Sequence, residues 1–176
     1  MLNKSKRRIL IVGGSGLIGS HITKKCEDLK INFLSTYFSK KKFSYQKKFD
    51  LNQNNNMPDI VQNDDIVIYC SAYANPNYVY KNKENSYKFN VTNTIKFFEQ
   101  IKNKANKIIF LSSVEVFDGK KGDYKEHDIR KPLNFYGKTK YEVEDYIKNN
   151  LKNFCIIRTG WNIGMDPNDR CVIKLT

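Results

Sequence analysis

No apolar run in this 176-residue sequence approaches the ~20 residues that cross a bilayer, so the sequence predicts no membrane-spanning helix. A short apolar run does follow the basic start, but it ends in glycines without a signal-type cleavage site, which predicts a cytoplasmic protein. The four cysteines form no C-x-x-C pair, and no histidine cluster accompanies them. We therefore predict free thiols and no metal site.

Acidic residues are also scarce: 18 Asp and Glu stand against 31 Lys and Arg, which gives a net charge of +13. This excess is compatible with a nucleic-acid partner, or simply with a composition biased toward lysine and asparagine. The lysines are spread along the whole chain, and aromatic residues do not interleave with them in a stacking pattern. We predict no nucleic-acid partner, although the positive field favours an anionic ligand such as a nucleotide.

The chain is long enough for one domain with a sizeable core, and 40% hydrophobic residues fit a globular protein. Apolar runs typical of buried strands alternate with amphipathic helical patterns, which predicts an α/β fold with a doubly wound parallel sheet and helices on both faces. The predicted strands span residues 9–12, 32–37, 43–51, 66–70, 107–111 and 154–157. The predicted helices span 17–29, 59–62, 84–104 and 136–151, with loops at 74–80 and 119–133.

The stretch from Ile9 to Gly19 reads as strand, glycine turn and helix. Gly13 can take the turn, Gly16 lets a pyrophosphate approach the backbone, and Gly19 lets the helix pack closely on the strand. The start of the helix offers free N–H groups and a positive dipole end to a phosphate. We predict dinucleotide binding, although the spacing is not G-x-G-x-x-G and a glycine-rich turn without a ligand is the alternative.

The end of the second predicted strand bears on the choice of cofactor. An acidic side chain there would bind the adenosine ribose hydroxyls and select NAD. None follows Tyr37, whereas Ser39 and Lys40 would suit a 2′-phosphate. The sequence therefore favours NADP over NAD, the alternative being a solvated basic loop.

Tyr136 and Lys140 lie four residues apart at the start of a predicted helix, a spacing that puts both on one face. A nearby cation lowers the pKa of a phenol, which makes proton transfer at neutral pH easier. Ser113, at the end of the fifth strand, could hydrogen-bond a substrate oxygen and orient it. This trio predicts proton transfer beside a nicotinamide hydride donor. Taken alone, the helical pair could also be surface decoration.

In their order, these features resemble the extended short-chain dehydrogenase/reductase family (NAD-dependent epimerases and dehydratases), whose fold is of the Rossmann type. Within it the sequence is most similar to the dTDP-4-dehydrorhamnose reductases. The resemblance spans nearly the whole chain. It is carried by the glycine turn, Asp50-Leu51, Asn90-Val91, Ser112-Ser113, Val116-Phe117-Asp118-Gly119, Tyr124-Lys125-Glu126, Pro132 to Lys138, Lys140 and Arg158 to Gly164.

The resemblance implies a role for each matching residue. Tyr136 would protonate the C4 oxygen of the sugar, Lys140 would lower the Tyr136 pKa and hold the nicotinamide ribose, and Ser113 takes the family's Ser/Thr position. The implied cofactor residues are Gly13, Ser15, Gly16, Leu17 and Ile18 at the pyrophosphate, Asp50 and Leu51 at the adenine, and Cys70, Ser71 and Ala72 along the cofactor, together with Tyr136 and Lys140. Cys70 and Leu51 could equally be core residues only.

The implied activity is NADP-dependent reduction of a nucleotide-linked 4-keto sugar, with NAD possible as cofactor. A sugar-nucleotide epimerase or dehydratase is one alternative: Glu115 matches the dehydratase glutamate, but Val114 stands where those enzymes carry the acid. A non-catalytic, NADP-binding regulatory subunit is the other. Residues 1–176 would form the cofactor domain, with the family's sugar-binding lobe largely absent. The resemblance also implies a homodimer through the helices at 84–104 and 136–151.

Overall fold

The computed structural model describes residues 7–53 and 60–162, and six parallel strands form its sheet. The strands are β1 (Ile9–Val12), β2 (Phe33–Tyr37), β3 (Lys47–Lys48), β4 (Ile66–Tyr69), β5 (Lys107–Ser113) and β6 (Phe154–Thr159). The helices are α1 (Leu17–Asp28), α2 (Pro76–Lys81), α3 (Lys83–Tyr87), α4 (Thr94–Ile101) and α5 (Phe135–Asn150). A π-helical segment, Lys88–Asn93, joins α3 to α4, and a 3₁₀ turn, Val114–Val116, follows β5.

The strand order is β3-β2-β1-β4-β5-β6, and every neighbouring pair is parallel. The chain therefore runs outward from β1 in one direction, then returns and continues from β4 in the other. In such sheets ligands bind in the crevice beyond the carboxyl ends of the strands where the direction reverses. The predicted doubly wound Rossmann-type sheet is confirmed, and the crevice lies between β1 and β4.

Both faces of the sheet are covered by helices. Leu10 and Val12 belong to the aromatic-rich core beneath α4 and α5, where Phe97 and Phe98 are fully buried. Ser35, which pairs with Ile11 in the sheet, faces the other way and hydrogen-bonds Thr23 of α1 at 2.8 Å. Alternate residues of each strand therefore serve opposite helical layers.

Two predicted elements differ from the structure. The strand predicted over 43–51 shrinks to Lys47–Lys48, because the side-chain oxygen of Gln46 accepts the backbone N–H groups of Lys42 and Phe43 and holds a turn there. The loop predicted over 74–80 contains α2, which begins at Asn75-Pro76, a favourable helix start. The predicted brief helix at 59–62 falls partly outside the described residues.

The other predicted helices and strands are present with shifted ends. The helix predicted over 84–104 is the run α3, π segment and α4, and the hydroxyl of Thr94 donates to the carbonyl of Phe89 at 3.1 Å within it. Strand β5 extends through both serines, and β6 extends to Thr159. Within the described residues, no helix is long and apolar enough to cross a membrane, and no cluster of metal-ligand side chains occurs. Cys26, Cys70 and Cys155 are free, while Cys171 lies outside the described part.

Candidate active site

The turn after β1 is built around Gly13, whose φ of 82° favours glycine. Its N–H donates to the hydroxyl of Thr36 at 3.0 Å. A Cβ on Gly13 would lie 3.0 Å from the backbone of Ser71, so only glycine allows the ends of β1 and β4 to approach this closely. Gly13 therefore sits at the crevice where the strand order reverses, as its predicted role requires.

The next two glycines of the motif differ in what surrounds them. A Cβ on Gly19 would lie 2.3 Å from the carbonyl oxygen of Gly13, so this glycine allows α1 to pack against the turn. A Cβ on Gly16 would meet only that same oxygen, at 3.4 Å, and Gly16 is exposed. The structure itself thus leaves the space above Gly16 open to a ligand.

The start of α1 has the properties of an anion site. No side chain caps it, and its first turn has no acidic residue. Ser15, Leu17 and Ile18 flank Gly16 and are half-buried. Unbonded N–H groups at a helix start, together with the dipole, suit a phosphate. The start of α1 therefore has room and N–H donors for an anionic group, and the pyrophosphate assignment stays a prediction.

Gly14, which the sequence reasoning did not single out, is required by packing. A Cβ on it would lie 2.0 Å from the hydroxyl oxygen of Ser35. That hydroxyl also receives a hydrogen bond from the side-chain amide of Gln46 at 2.9 Å. The same amide group orders the loop that carries Ser39 and Lys40, both of which are exposed. The adjacent glycines at 13–14 were the only sequence feature that could have indicated this packing role of Gly14.

The residues predicted to flank the adenine lie on the other side of the glycine turn. Leu51 is 2% exposed and lines a small hollow together with Gly13, Phe38 and Ser71. The carboxylate of Asp50 accepts the backbone N–H of Asn52 at 2.9 Å. Leu51 is therefore a core residue that also faces the crevice.

Residues 70–72 continue from β4 into the crevice, and Ser71 and Ala72 are half-buried there. The Cys70 thiol faces Lys140, and burial raises the pKa of that thiol to about 12 in spite of the nearby cation. Cys70 is thus a protonated thiol at neutral pH. The role of these three small residues along a cofactor stays a prediction.

Helix α5 carries the tyrosine–lysine pair. Its start is capped by Asn134, whose side-chain oxygen accepts the N–H of Gly137 at 2.7 Å. The ammonium of Lys140 lies 5.7 Å from the centre of the Tyr136 ring and donates to the carbonyl oxygen of Leu111 at 2.8 Å. Burial lowers the pKa of Lys140 to about 8.

The effect expected of Lys140 on Tyr136 is not found. Burial raises the pKa of the Tyr136 phenol above its usual value, and the charge of Glu115 raises it further. Because the ammonium is bonded to the Leu111 carbonyl instead of the phenol, its charge does not offset the loss of hydration. Tyr136 is therefore protonated at neutral pH, and the prediction of a lowered phenol pKa was wrong.

Ser113 ends β5, is buried, and accepts the N–H of Glu115 at 3.2 Å. The start of α5 is pressed against this turn, because a Cβ on Gly137 would lie 2.2 Å from the Glu115 carbonyl oxygen. The side chain of Asn134 contacts the Glu115 carboxylate. Gly137, which the sequence reasoning left without a role, brings the helix carrying Tyr136 to the strand end carrying Ser113.

A cavity of about 1110 Å³ opens beside this junction. Its wall includes Glu115, Phe117 and Tyr124, and it extends along β6 to Ile157 and Arg158. Phe117 and Tyr124 stack with ring centres 4.3 Å apart. The volume is sufficient for a small-molecule ligand next to the tyrosine–lysine helix.

A family model described as the RmlD substrate binding domain matches residues 7–173. The chain belongs to this family. The dTDP-4-dehydrorhamnose reductase of Aggregatibacter actinomycetemcomitans is 29% identical over 166 residues, which cover 92% of this chain and 54% of that protein. Methionine adenosyltransferase 2 subunit beta of Bos taurus is 27% identical over 159 residues, which cover 89% of this chain and 47% of that protein.

Among solved structures, a hypothetical dTDP-4-dehydrorhamnose reductase from Sulfolobus tokodaii superposes with a TM-score of 0.78 at 27% identity, covering 90% of this chain and 57% of that one. The chain spans about half the length of the curated relatives it matches. All candidate site residues lie within the region that matches the RmlD substrate binding domain family. The family resemblance inferred from the motifs is confirmed.

Proposed function

We propose that this chain is the cofactor-binding part of an NAD(P)H-dependent reductase that acts on a nucleotide-linked 4-keto sugar. One arrangement carries the assignment: the glycine turn after β1, Ser113 at the end of β5, and the Tyr136–Lys140 pair on α5 open toward the same edge of the sheet. The family and its reductase relatives point the same way.

The glycine turn and the start of α1 fit a dinucleotide. The open space over Gly16 and the uncapped N–H groups would receive the pyrophosphate. Ser39 and Lys40, exposed beyond β2, would contact a 2′-phosphate, which favours NADP over NAD. Leu51 would face the adenine, and Ser71 would lie along the cofactor toward the nicotinamide.

A reduced nicotinamide would supply a hydride to the C4 carbon of the sugar. Tyr136, whose phenol is protonated at neutral pH, would donate its proton to the C4 oxygen. The hydroxyl of Ser113 would hydrogen-bond that oxygen and orient the carbonyl. Tyr136 would then be reprotonated from solvent, while Lys140, on the same face of α5, would hold the nicotinamide ribose.

Titration of the chain with NADPH and with NADH, followed by nicotinamide fluorescence, tests the cofactor site. We expect saturable binding, tighter for NADPH. In the Gly16→Ala variant the new methyl group would occupy the space proposed for the pyrophosphate. The backbone should tolerate this change, because the φ of −74° at this position suits alanine. We expect this variant to keep its melting temperature and to lose at least tenfold in NADPH affinity.

Tyr136→Phe tests the chemistry separately. Removal of the phenolic proton donor should reduce turnover of a 4-keto sugar nucleotide by at least ~10²-fold, the usual contribution of a positioned acid. NADPH affinity should remain within about twofold, because the pyrophosphate contacts are untouched. Turnover at the wild-type rate would rule out Tyr136 as the acid.

A non-catalytic subunit is a second candidate, favoured by the similarity to methionine adenosyltransferase 2 subunit beta. It predicts NADPH binding without turnover of any 4-keto sugar nucleotide. A dehydratase has less support, because the Glu115 carboxylate is engaged by Asn134 and its neighbour Val114 is apolar.

A further inference from the structure

Glu144, in the middle of α5, is a carboxylate with no solvent exposure. It accepts hydrogen bonds from the hydroxyl of Ser112 at 2.6 Å, from Arg158 at 2.7 and 2.9 Å, and from Arg130 at 3.1 Å. A buried carboxylate is tolerated only when donors replace its hydration. Here four hydrogen bonds do so.

These donors come from three separate parts of the fold. Ser112 belongs to β5, Arg158 to β6, and Arg130 to the segment between Asp118 and Asn134. Both arginine side chains are largely buried, with 14% of Arg130 and 12% of Arg158 exposed. A buried ion pair often adds little to stability after its dehydration is counted, so its effect is best judged by what it holds in place.

The position of Glu144 relates it to the reacting groups. It lies four residues after Lys140 and eight after Tyr136, on the same face of α5. Its partner Ser112 immediately precedes Ser113. The hydrogen bond between Glu144 and Ser112 therefore fixes the helix against the strand end at which the substrate oxygen would sit.

Arg158 extends this connection to the cavity. It donates to the backbone carbonyl of Glu126 at 3.0 Å, and its guanidinium lies 4.9 Å from the centre of the Phe117 ring. Both residues line the cavity. One carboxylate thus joins the helix, two strand ends and the cavity wall.

We propose that Glu144 is a positioning residue, whose buried carboxylate aligns the helix carrying Tyr136 and Lys140 with the strand end carrying Ser113. The roles of those three residues rest on the function proposed above. Glu144 touches neither the substrate nor the cofactor site directly, and acts through Ser112 and Arg158.

The electrostatics of the helix agree with this role. The charge of Glu144 raises the pKa of Lys140, in opposition to burial, and Cys70 faces the same ammonium from β4. The positive groups that face Glu144 are Arg130, Arg158 and, at 4.0 Å, Lys148. Loss of the carboxylate would remove an anion from the surroundings of Lys140 and break the link between α5 and Ser112 of β5.

Lys140 also provides a readout that needs no turnover. Its ammonium lies 4.6 Å from the centre of the Phe110 ring, so its neighbouring methylene protons experience the ring current. With ¹³C-labelled lysine and the Lys140→Arg variant for assignment, NMR reports the placement of α5 on β5. Ser112→Ala breaks the link while leaving every charge in place, and Glu144→Gln removes the carboxylate. Asp145→Asn and Ser86→Ala are the controls.

The controls match the two variants. Asp145 is the next residue on α5 and also pairs with Arg130, while the Ser86 hydroxyl is buried without a hydrogen-bond partner among the described residues. We expect Ser112→Ala and Glu144→Gln to move the Lys140 methylene signals toward their unfolded-chain positions, with no movement in either control. In Glu144→Gln the titration midpoint of Lys140 should also fall.

In turnover assays, kcat should fall by on the order of 10²-fold in Glu144→Gln, because small misplacements of reacting groups reduce rates by this amount. The NADPH affinity should change by less than threefold. If Glu144→Gln does not fold, the Lys140 signals of Ser112→Ala alone test the positioning role. Unchanged Lys140 signals in Ser112→Ala would overturn the positioning role. A wild-type chain that binds neither NADPH nor NADH would reject the proposed function, and the Lys140 signals would still decide on Glu144.

Discussion

Lys140 and Cys70 face each other in the wall of the crevice, and burial shifts their pKa values in opposite directions. The pKa of Lys140 falls from 10.5 to about 8, because burial disfavours the ammonium. The pKa of Cys70 rises from 9.0 to about 12, because burial disfavours the thiolate. The wall of the crevice thus keeps a protonated thiol beside a lysine whose pKa lies close to neutral pH.

These two shifts make stability depend on pH over a narrow window. Between about pH 8 and 9 Lys140 loses its proton in the folded chain but keeps it in the unfolded chain, so the folded state gains stability as pH rises. The unfolded Cys70 begins to ionise in the same range, which offsets about a third of the gain. We expect the free energy of unfolding in urea to rise by roughly 0.6 kcal/mol from pH 8 to 9.

Lys140→Met should abolish this rise. Lys138→Met removes an exposed lysine from the same helix and should retain it. A wild-type free energy that falls between pH 8 and 9 would contradict the assignment of the window to Lys140.

At the scale of helices, two asparagines start two helices in the same way but at different distances from the site. Asn75 caps α2 by accepting the N–H of Tyr78 at 2.9 Å, and Asn134 caps α5 by accepting that of Gly137 at 2.7 Å. Only Asn134 also contacts Glu115, next to Ser113. The second cap therefore both starts a helix and joins its first turn to the turn that follows Ser113.

Substitution of each cap by alanine separates these effects. Asn75→Ala and Asn134→Ala should each lower the free energy of unfolding by about 1 kcal/mol, the usual cost of a lost cap. Only Asn134→Ala should also reduce turnover, by about tenfold, because Tyr136 lies in the first turn of α5. Equal turnover in the two variants would show that the cap has no catalytic effect. Chemical denaturation and steady-state kinetics measure both quantities.

The sequence predicts those parts of the fold whose signals are local. The strand, turn and helix at 9–28 follow from four apolar residues and three spaced glycines. The roles of Gly14 and Gly137 could not be deduced, because each is set by an atom distant in sequence, on Ser35 and Glu115 respectively. The strand predicted over 43–51 is mostly absent, because the Gln46 side chain binds the N–H groups of Lys42 and Phe43 and holds the chain in a turn.

The candidate site shows the same division. Tyr136, Lys140 and Ser113 were predicted from spacing and strand ends; the structure places Tyr136 and Lys140 on one face of α5, whose start packs on the turn after Ser113. The direction of the Tyr136 pKa shift was not predicted, because it depends on burial and on the charge of Glu115, which approaches through a tertiary contact. Glu144 carried no signal of its own, since its partners lie 14 to 32 residues away along the chain.

At the scale of the whole molecule, the charge of +13 extends over a surface whose crevice is proposed to take a strongly anionic cofactor. Two contributions to cofactor affinity can be distinguished. One is the general field of the positive charge, which salt screens with a Debye length of ~10 Å at 0.1 M. The other is the set of local contacts beyond β2. The general field attracts both NADH and NADPH, because both are negatively charged. Ser39 and Lys40 would act only on the 2′-phosphate that NADPH alone carries.

Salt dependence therefore tests the cofactor choice without any substrate. Between 0.05 and 0.5 M NaCl the Kd for both cofactors should rise, with a steeper rise for NADPH because its extra phosphate would face Lys40. In Lys40→Gln the NADPH dependence should approach that of NADH, while Lys138→Gln, which is exposed on α5, should leave both unchanged. A steeper NADPH slope that persists unchanged in Lys40→Gln would assign it to the general field acting on the extra charge of NADPH and remove the basis for preferring NADP.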